Sequence, residues 1–318
     1  MMKRFRSHPI RIASGDRLAM NFADKMSDAV KRCGNPVLVG LDPRWEQLPD
    51  LFKQHPEAKP AAYRQFCCEV IDVVAPLVSI VKPQAAFFEQ LGPKGMEALG
   101  QVILHARQQG LLVIVDGKRN DIGTTAAAYA EGFLGTESSS AWAGDALTVS
   151  PYLGDDSLTP FVEVCKARET GIFVLVKTSN PGGKTFQDLV SEGRPLYRHV
   201  ADHVELLACE TIAECGYGAV GAVVGATYPE QLAELRSAMP HTWFLVPGYG
   251  TQGGSANDVA PAFDAKGLGA IVNNSRGIIF AHARKDFAKF GESRWQRAVE
   301  AATREMIEQL SAVCNPVG

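Results

Sequence analysis

The sequence predicts a single (β/α)8 TIM barrel with extra helices at its amino and carboxyl ends. Three observations carry that expectation. About eight short, continuously apolar segments recur along the 318 residues, and unbroken apolar runs of this length are the pattern of parallel strands covered on both faces. Helix-periodic segments lie between them, as βα units require. No dinucleotide-binding half repeats itself, which favours a closed barrel over an open sheet.

The elements follow in chain order. Residues 1–20 begin MMKRFRSHPIRIASGDRL; they are basic, lack the apolar core of a secretory signal and read as a flexible lead-in, with an organellar transit peptide as the alternative. Phe22, Met26 and Val30 fall at helical spacing and Gly34 can end the run, so residues 21–33 are expected to form an amphipathic helix. Val37 to Leu41 is the first strand, ended by Asp42 and Pro43. A helix around 61–73 leads to PLVSIVKPQ, which repeats the grammar with Lys82 at the strand end. After a helix near 93–109 comes the central stretch, LLVIVDGKRNDIGTTAAAYA at 111–130. Its apolar half, Leu111 to Val115, reads as a strand buried on both faces, and its Ala-rich half as the following helix. Further strands are expected in ALTVSPYLG at 146–154, GIFVLVKTSNPGG at 171–183, AVGAVVGA at 219–226, TWFLVPGYG at 242–250 and LGAIVNNSRG at 268–277, with helices around 197–214 and 228–238 between them. The barrel is thus expected over 37–280. A last helix at 291–313, with Trp295, Val299, Ala302 and Met306 on one stripe, would close the bottom or flank the barrel. No linker-like shift in composition divides the chain, so 1–318 is read as one domain.

Composition excludes several classes of function. A formal net charge of -3 leaves no basic footprint for nucleic acid, and no apolar run approaches the ~20 residues of a membrane span. The seven cysteines are scattered without a C-x-x-C pair or Cys/His spacing suited to zinc, so free thiols in a reducing cytoplasm and no metal site are expected. A small-molecule partner remains.

Barrel chemistry sits where the strands end at their carboxyl side. Asp42, Lys82, Asp116 with Lys118, Lys177 with Thr178 and Ser179, Gln252 and Arg276 all fall on that edge and are expected to share one mouth. Asp116 and Lys118, two apart on a strand, point the same way, while Asp121 lies past the strand where the chain turns into the helix. Such convergence could be an ion-paired cap or a catalytic site. GYGTQG at 248–253 fits G-x-G-x-x-G, but Pro247 and its late position are wrong for a dinucleotide turn. Its backbone N–H groups, with Arg276 after the eighth strand, instead suit the phosphate site that barrels commonly place there. Ser179 and Asn180 could be turn residues or could read the polar edge of a heterocycle. No histidine falls at a strand's carboxyl end, which argues against a histidine base.

DGKRNDIGTT at 116–125 matches D-x-K-x-x-D-I-[GP]-x-T at every specified position. In this and in VGLDP, VKPQ, TVSPYLG, VKTSNPGG, PGYGTQGG and NNSRG, in that order, the chain resembles the orotidine 5'-phosphate decarboxylases, and more closely their longer bacterial type-2 branch. The resemblance implies cofactor-free decarboxylation of orotidine 5'-phosphate to UMP, the last step of de novo UMP synthesis, in the cytoplasm. It implies a charged tetrad of Lys82, Asp116, Lys118 and Asp121, with Lys118 protonating the C6 carbanion. It further implies that Asp42 contacts the ribose, Ser179 the pyrimidine, and Gln252 and Arg276 the phosphate. Asp121 and Thr125 would reach into the site of a partner subunit, hence a homodimer. The neighbours Thr178 and Asn180 stay open as candidates for that base-reading contact beside Ser179. Two other readings keep the barrel: a Schiff-base enzyme using Lys177 or Lys82 on sugar phosphates, and a regulatory nucleotide-binding barrel without turnover.

Overall fold

In the computed structural model, which describes residues 20–250 and 253–314, eight parallel strands close into a barrel. They are β1 (Val37–Leu41), β2 (Ile80–Pro83), β3 (Leu112–Arg119), β4 (Ala146–Val149), β5 (Gly171–Lys177), β6 (Val220–Val224), β7 (Phe244–Val246) and β8 (Ala270–Asn274). Each pairs with its neighbours in sequence, and β1 closes on β8 through Val37 and Val272. All eight expected strands are present. The expected lead-in lies, except for Met20, outside the described residues.

Alternation along the strands divides the core in two. One residue from every strand points inward: Leu38, Ile80, Ile114, Ala146, Phe173, Val223, Leu245 and Ile271 join one buried cluster. Their neighbours in sequence, such as Val37, Val39, Val113 and Val115, join the larger cluster beneath the surrounding helices. A strand that must be apolar on both faces reads as an unbroken apolar run, which is why the strands were legible.

The helix expected at 21–33 is α1 (Phe22–Cys33). Its cap is set locally: Asn21 accepts from the Ala23 N–H at 3.0 Å, and Gly34 at φ 70° ends it. Phe22, Ala23, Met26 and Val30 belong to the inward cluster, so α1 plugs the amino-terminal mouth of the barrel. The Phe22 ring meets Phe173 edge to face at 6.2 Å. It lies over Gly171, where a Cβ would stand 2.2 Å from the ring, so only glycine fits there. The last helix, α12 (Trp295–Ser311), therefore does not close the bottom. It flanks the barrel against α2 (Lys59–Val74), with Trp295 packed on Phe52 and Phe66.

Three features differ from the expectation. β3 runs on to Arg119 instead of stopping at Val115. Several short elements, among them α3 (Ala85–Glu89) and α11 (Arg276–Ile279), are too short to show a helical period. The segment between β5 and the helix Leu196–Cys209 carries a short helix, Lys184–Gln187, and a two-residue antiparallel ladder, Val190–Ser191 with Arg194–Pro195. Among the described residues no helix is long and apolar enough to cross a membrane.

Because Phe22 seals the end of the barrel remote from the charged mouth, Phe22→Ala should lower unfolding free energy by about 3–5 kcal/mol while leaving turnover per folded molecule unchanged. Urea denaturation beside an activity assay checks both. A matching loss of turnover would show that the plug also shapes the mouth.

Candidate active site

The carboxyl ends of the strands surround a cavity of about 280 Å³, close to the ~300 Å³ lower end for small-ligand sites. Leu175, Val223 and Leu245 line its floor, and the wall is polar. Asp42 after β1, Lys82 on β2, Asp116 and Lys118 on β3, Thr178, Ser179 and Asn180 after β5, and Arg276 after β8 all line this one cavity.

Asp116 is its centre. One carboxylate oxygen accepts from Lys82 Nζ at 2.6 Å, and the other accepts from Lys118 Nζ at 2.6 Å. Lys82 and Asp116 are buried, while the Lys118 side chain is 48% exposed toward the opening. With Asp42, the row Asp42–Lys82–Asp116–Lys118 alternates in sign along the cavity wall, and a desolvated network persists only when each charge faces its opposite. Burial alone would raise the Asp116 carboxyl; Lys82 and Lys118 outweigh it and hold Asp116 well below the ordinary carboxylate range. Burial likewise works against the Lys82 ammonium, yet Asp116 and Asp42 carry it above its ordinary value.

Local backbone geometry aims these groups. The β3–β4 register shifts between Val115 and Arg119, and Lys118 sits at φ 44°, a conformation that costs a non-glycine residue about 1–3 kcal/mol. Thr148 on β4 holds it there: its hydroxyl accepts from the Lys118 N–H at 2.9 Å and donates to Asp116 at 2.9 Å. Asp42 presents a buried Oδ1 that has no partner among the described residues, and so does Asn273; both line the cavity, where a ligand's hydroxyl or amide could satisfy them. Gly40 lets β1 approach the end of β8, since a Cβ there would lie 1.8 Å from Ser275 Oγ. That approach sets the turn from which Arg276 joins the cavity lining, next to Gly248 and Tyr249 after the neighbouring strand β7. Thr178 and Asn180 side chains bond to each other at 2.5 Å.

Asp121, Thr125 and Lys177 do not line this cavity. Asp121 and Thr125 are outside the cavity of their own chain: Asp121 accepts from the Ile122 N–H at 2.9 Å, and Thr125 is exposed on α5 (Gly123–Phe133). Gln252 lies outside the described residues. Lys177 corrects the expectation of a shared mouth. A second irregularity, between Leu175 and Lys177, turns it outward, where it is buried, ion-paired with Asp188 and flanked by the rings of Tyr197 and Tyr228, each 5.2 Å away. A Schiff-base lysine needs a lowered pKa and access to substrate; Lys177 lacks the access, and Lys82 is shifted the other way. Thr148, Asn273 and Ser275 are cavity residues that the sequence reading did not single out. Their only signal was position at or next to a strand end.

Fold and cavity together are those of a closed parallel barrel with alternating charges at its carboxyl-terminal mouth. Residues 35–289 match the orotidine 5'-phosphate decarboxylase / HUMPS family. An orotidine 5'-phosphate decarboxylase of Rhodopirellula baltica is 60% identical over 299 residues, covering 92% of this chain and 99% of that one. Another from Deinococcus radiodurans is 44% identical, covering 82% and 89%. Among solved structures, the Leishmania donovani OMP decarboxylase superposes with a TM-score of 0.73 at 34% identity, covering 92% of this chain and 98% of its own. The chain belongs to the orotidine 5'-phosphate decarboxylase / HUMPS family.

Asp116→Asn should leave Lys82 buried without its counter-charge, at a cost of about 3–5 kcal/mol. The sign with pH follows from both shifts. Asp116 lies below its ordinary 3.8, so its stabilisation is present above that value and is lost as pH falls through the folded-state pKa. Lys82 lies above its ordinary 10.5, so its share is present below that value and is lost as pH rises through the folded-state pKa. Denaturation midpoints across pH should therefore separate wild type from Asp116→Asn on a plateau that narrows only at the two extremes. A gap that closes near neutrality would contradict the pairing.

Proposed function

We propose that Lys118 is the proton donor as this chain decarboxylates orotidine 5'-phosphate to UMP. The observation that carries this reading is the Lys82–Asp116–Lys118 arrangement, with 2.6 Å contacts on both sides of one buried carboxylate at the cavity wall. Loss of carbon dioxide leaves an anion at C6 of the pyrimidine, which the ring π-system cannot absorb, so a fixed positive group must lie where that charge develops. Lys118 reaches into the cavity from a backbone held by Thr148. Its ammonium faces the developing carbanion and then delivers the proton to C6.

Asp116 lies beside the leaving carboxylate and repels it until it departs as neutral carbon dioxide. Two charges about 4 Å apart interact by roughly 4 kcal/mol at an effective dielectric near 20, whereas large enzymatic accelerations need up to ~23 kcal/mol. Repulsion is therefore the minor part. Stabilisation of the anion in a water-poor site supplies the rest, and binding of the remote phosphate offsets the cost of closing that site. In this reading Arg276, Gln252 and the backbone after β7 take the phosphate and Asp42 the ribose hydroxyls. Ser179 or a neighbour, Thr178 or Asn180, reads the pyrimidine edge. No cofactor has a role in these steps.

The catalytic unit is read as one barrel that completes its site as a homodimer. Asp121 and Thr125 stand at the rim outside their own cavity. Beside them, after β3 and β4, the exposed apolar side chains of Ile122, Tyr152 and Leu153 form the kind of surface a partner covers. A second copy seated there would bring Asp121 beside Lys118 of its neighbour and complete the Lys82–Asp116–Lys118–Asp121 tetrad.

Lys118→Ala should reduce turnover by about 10³-fold or more, followed as loss of the ultraviolet band of orotidine 5'-phosphate. Orotidine without phosphate should lose most of its rate even at saturation; equal saturating rates would remove the phosphate from the account. Mixing inactive Lys118→Ala and Asp121→Asn dimers under subunit exchange should restore about a quarter of wild-type activity, since a mixed dimer keeps one intact site. No recovery on mixing would place Asp121 outside its neighbour's site.

A further inference from the structure

A second group of reactive side chains lies at the opposite end of the barrel. Glu205 and Cys209 are one turn apart on α8 (Leu196–Cys209), so they share a face. His241 stands just before β7, in the segment that leads into the amino-terminal end of the strands. Cys209 Sγ is 3.4 Å from His241 Nδ1 and 3.6 Å from Glu205 Oε1, and His241 Nδ1 is 2.7 Å from the same Oε1. All three potential ligand atoms lie within 4.8 Å of one another. Nothing in the decarboxylation chemistry uses them.

We propose that Glu205, Cys209 and His241 bind a thiophilic divalent cation of the zinc class. Thiolate, imidazole and carboxylate bonds to zinc of about 2.0–2.3 Å in a tetrahedron require ligand-to-ligand edges of about 3.3–3.6 Å. Two of the three edges already have that length, and the third opens by about 0.6 Å as the ion replaces the histidine–glutamate hydrogen bond. Glu205 is also held from behind. Thr242 Oγ1 donates to its Oε2 at 2.7 Å, and the His241 N–H also points at the carboxylate, 3.2 Å from Oε1 and 3.3 Å from Oε2. Outer contacts of this kind orient a ligating carboxylate. Cys209 is exposed and His241 half-exposed, so water completes the coordination from the solvent side.

The proton balance is simple. The Cys209 thiol releases its proton to solvent and binds as thiolate. Neutral His241 ligates through Nδ1 with its proton on Nε2, and Glu205 ligates through a carboxylate oxygen. One cation in and one proton out make the site tighter as pH rises. The ion would tie the end of α8 to the chain entering β7 and stabilise the closed end of the barrel, remote from the mouth.

The test uses the full chain stripped with a chelator and titrated with Co²⁺, whose thiolate charge-transfer band reports sulfur ligation. One Co²⁺ per chain with that band is expected. The band should vanish in Cys209→Ser and also in folded wild type whose Cys209 has first been alkylated, with turnover intact in both. Zn²⁺ should slow alkylation of Cys209 about tenfold or more by occupying the thiolate, while the same concentration of Mg²⁺, which prefers oxygen ligands, should not. A band that persists in either ligand-deleted form would mean that cobalt sits on another of the thiols, and absence of the band from wild type would mean that the three side chains bind no such ion; either result overturns the proposal.

Discussion

The structure depends on one buried carboxylate held between two ammonium groups. Asp116 cannot be desolvated alone, because an unpaired charge in a barrel interior costs several kcal/mol. Lys82 answers it from the adjacent strand and Lys118 from two residues further along its own. That demand explains features that otherwise look unrelated: the extension of β3 past its apolar run, the register shift against β4, the positive φ of Lys118 and the double role of the Thr148 hydroxyl. The network binds the ends of three neighbouring strands, β2, β3 and β4, into one rigid wall. A charged group mounted on such a wall needs little reorganisation when charge develops before it.

Stability and chemistry occupy opposite ends of the barrel. The amino-terminal end is closed by α1, whose Phe22 reaches between Gly171 and Phe173, and the inward cluster above it is apolar on all eight strands. The carboxyl-terminal end carries strain, buried charge and polar atoms that have no partner among the described residues, such as Asp42 Oδ1 and Asn273 Oδ1. Those features cost folding free energy, and the packed floor beneath them tolerates the cost. The chain belongs to the orotidine 5'-phosphate decarboxylase / HUMPS family, and a fixed Lys–Asp–Lys arrangement of this kind suits a site where negative charge develops.

Much of this is legible in the sequence. The eight strands show because their two-sided burial demands unbroken apolar runs, and the mouth shows because several runs end on a charged residue, as at Asp42, Lys82 and Asp116. Asp42, Lys82, Asp116, Lys118, Ser179 and Arg276 meet in one cavity as that pattern implied. Lys177 met the same criterion and does not belong, because an irregularity of one residue turns its side chain from the interior to the outer layer. Alternation in sequence is blind to a bulge. Thr148 and Asn273 were missed for a related reason: a hydroxyl or amide on a strand gives no signal until the partner it must satisfy is known.

The sequence by itself determined the barrel, its strand order and the charged composition of one edge, since these follow from periodicity, chain punctuation and the right-handed closure of successive βα units. Tertiary structure decided what lies within bonding distance. It chose α1 over the last helix as the plug, excluded Lys177, set Thr148 between Lys118 and Asp116, and brought Cys209 beside His241 across 32 residues of chain. The physical reason is one of range. Burial and alternation act along a strand and can be read residue by residue, whereas a hydrogen bond or an ion pair is settled within a few tenths of an ångström between segments that only the folded chain makes neighbours.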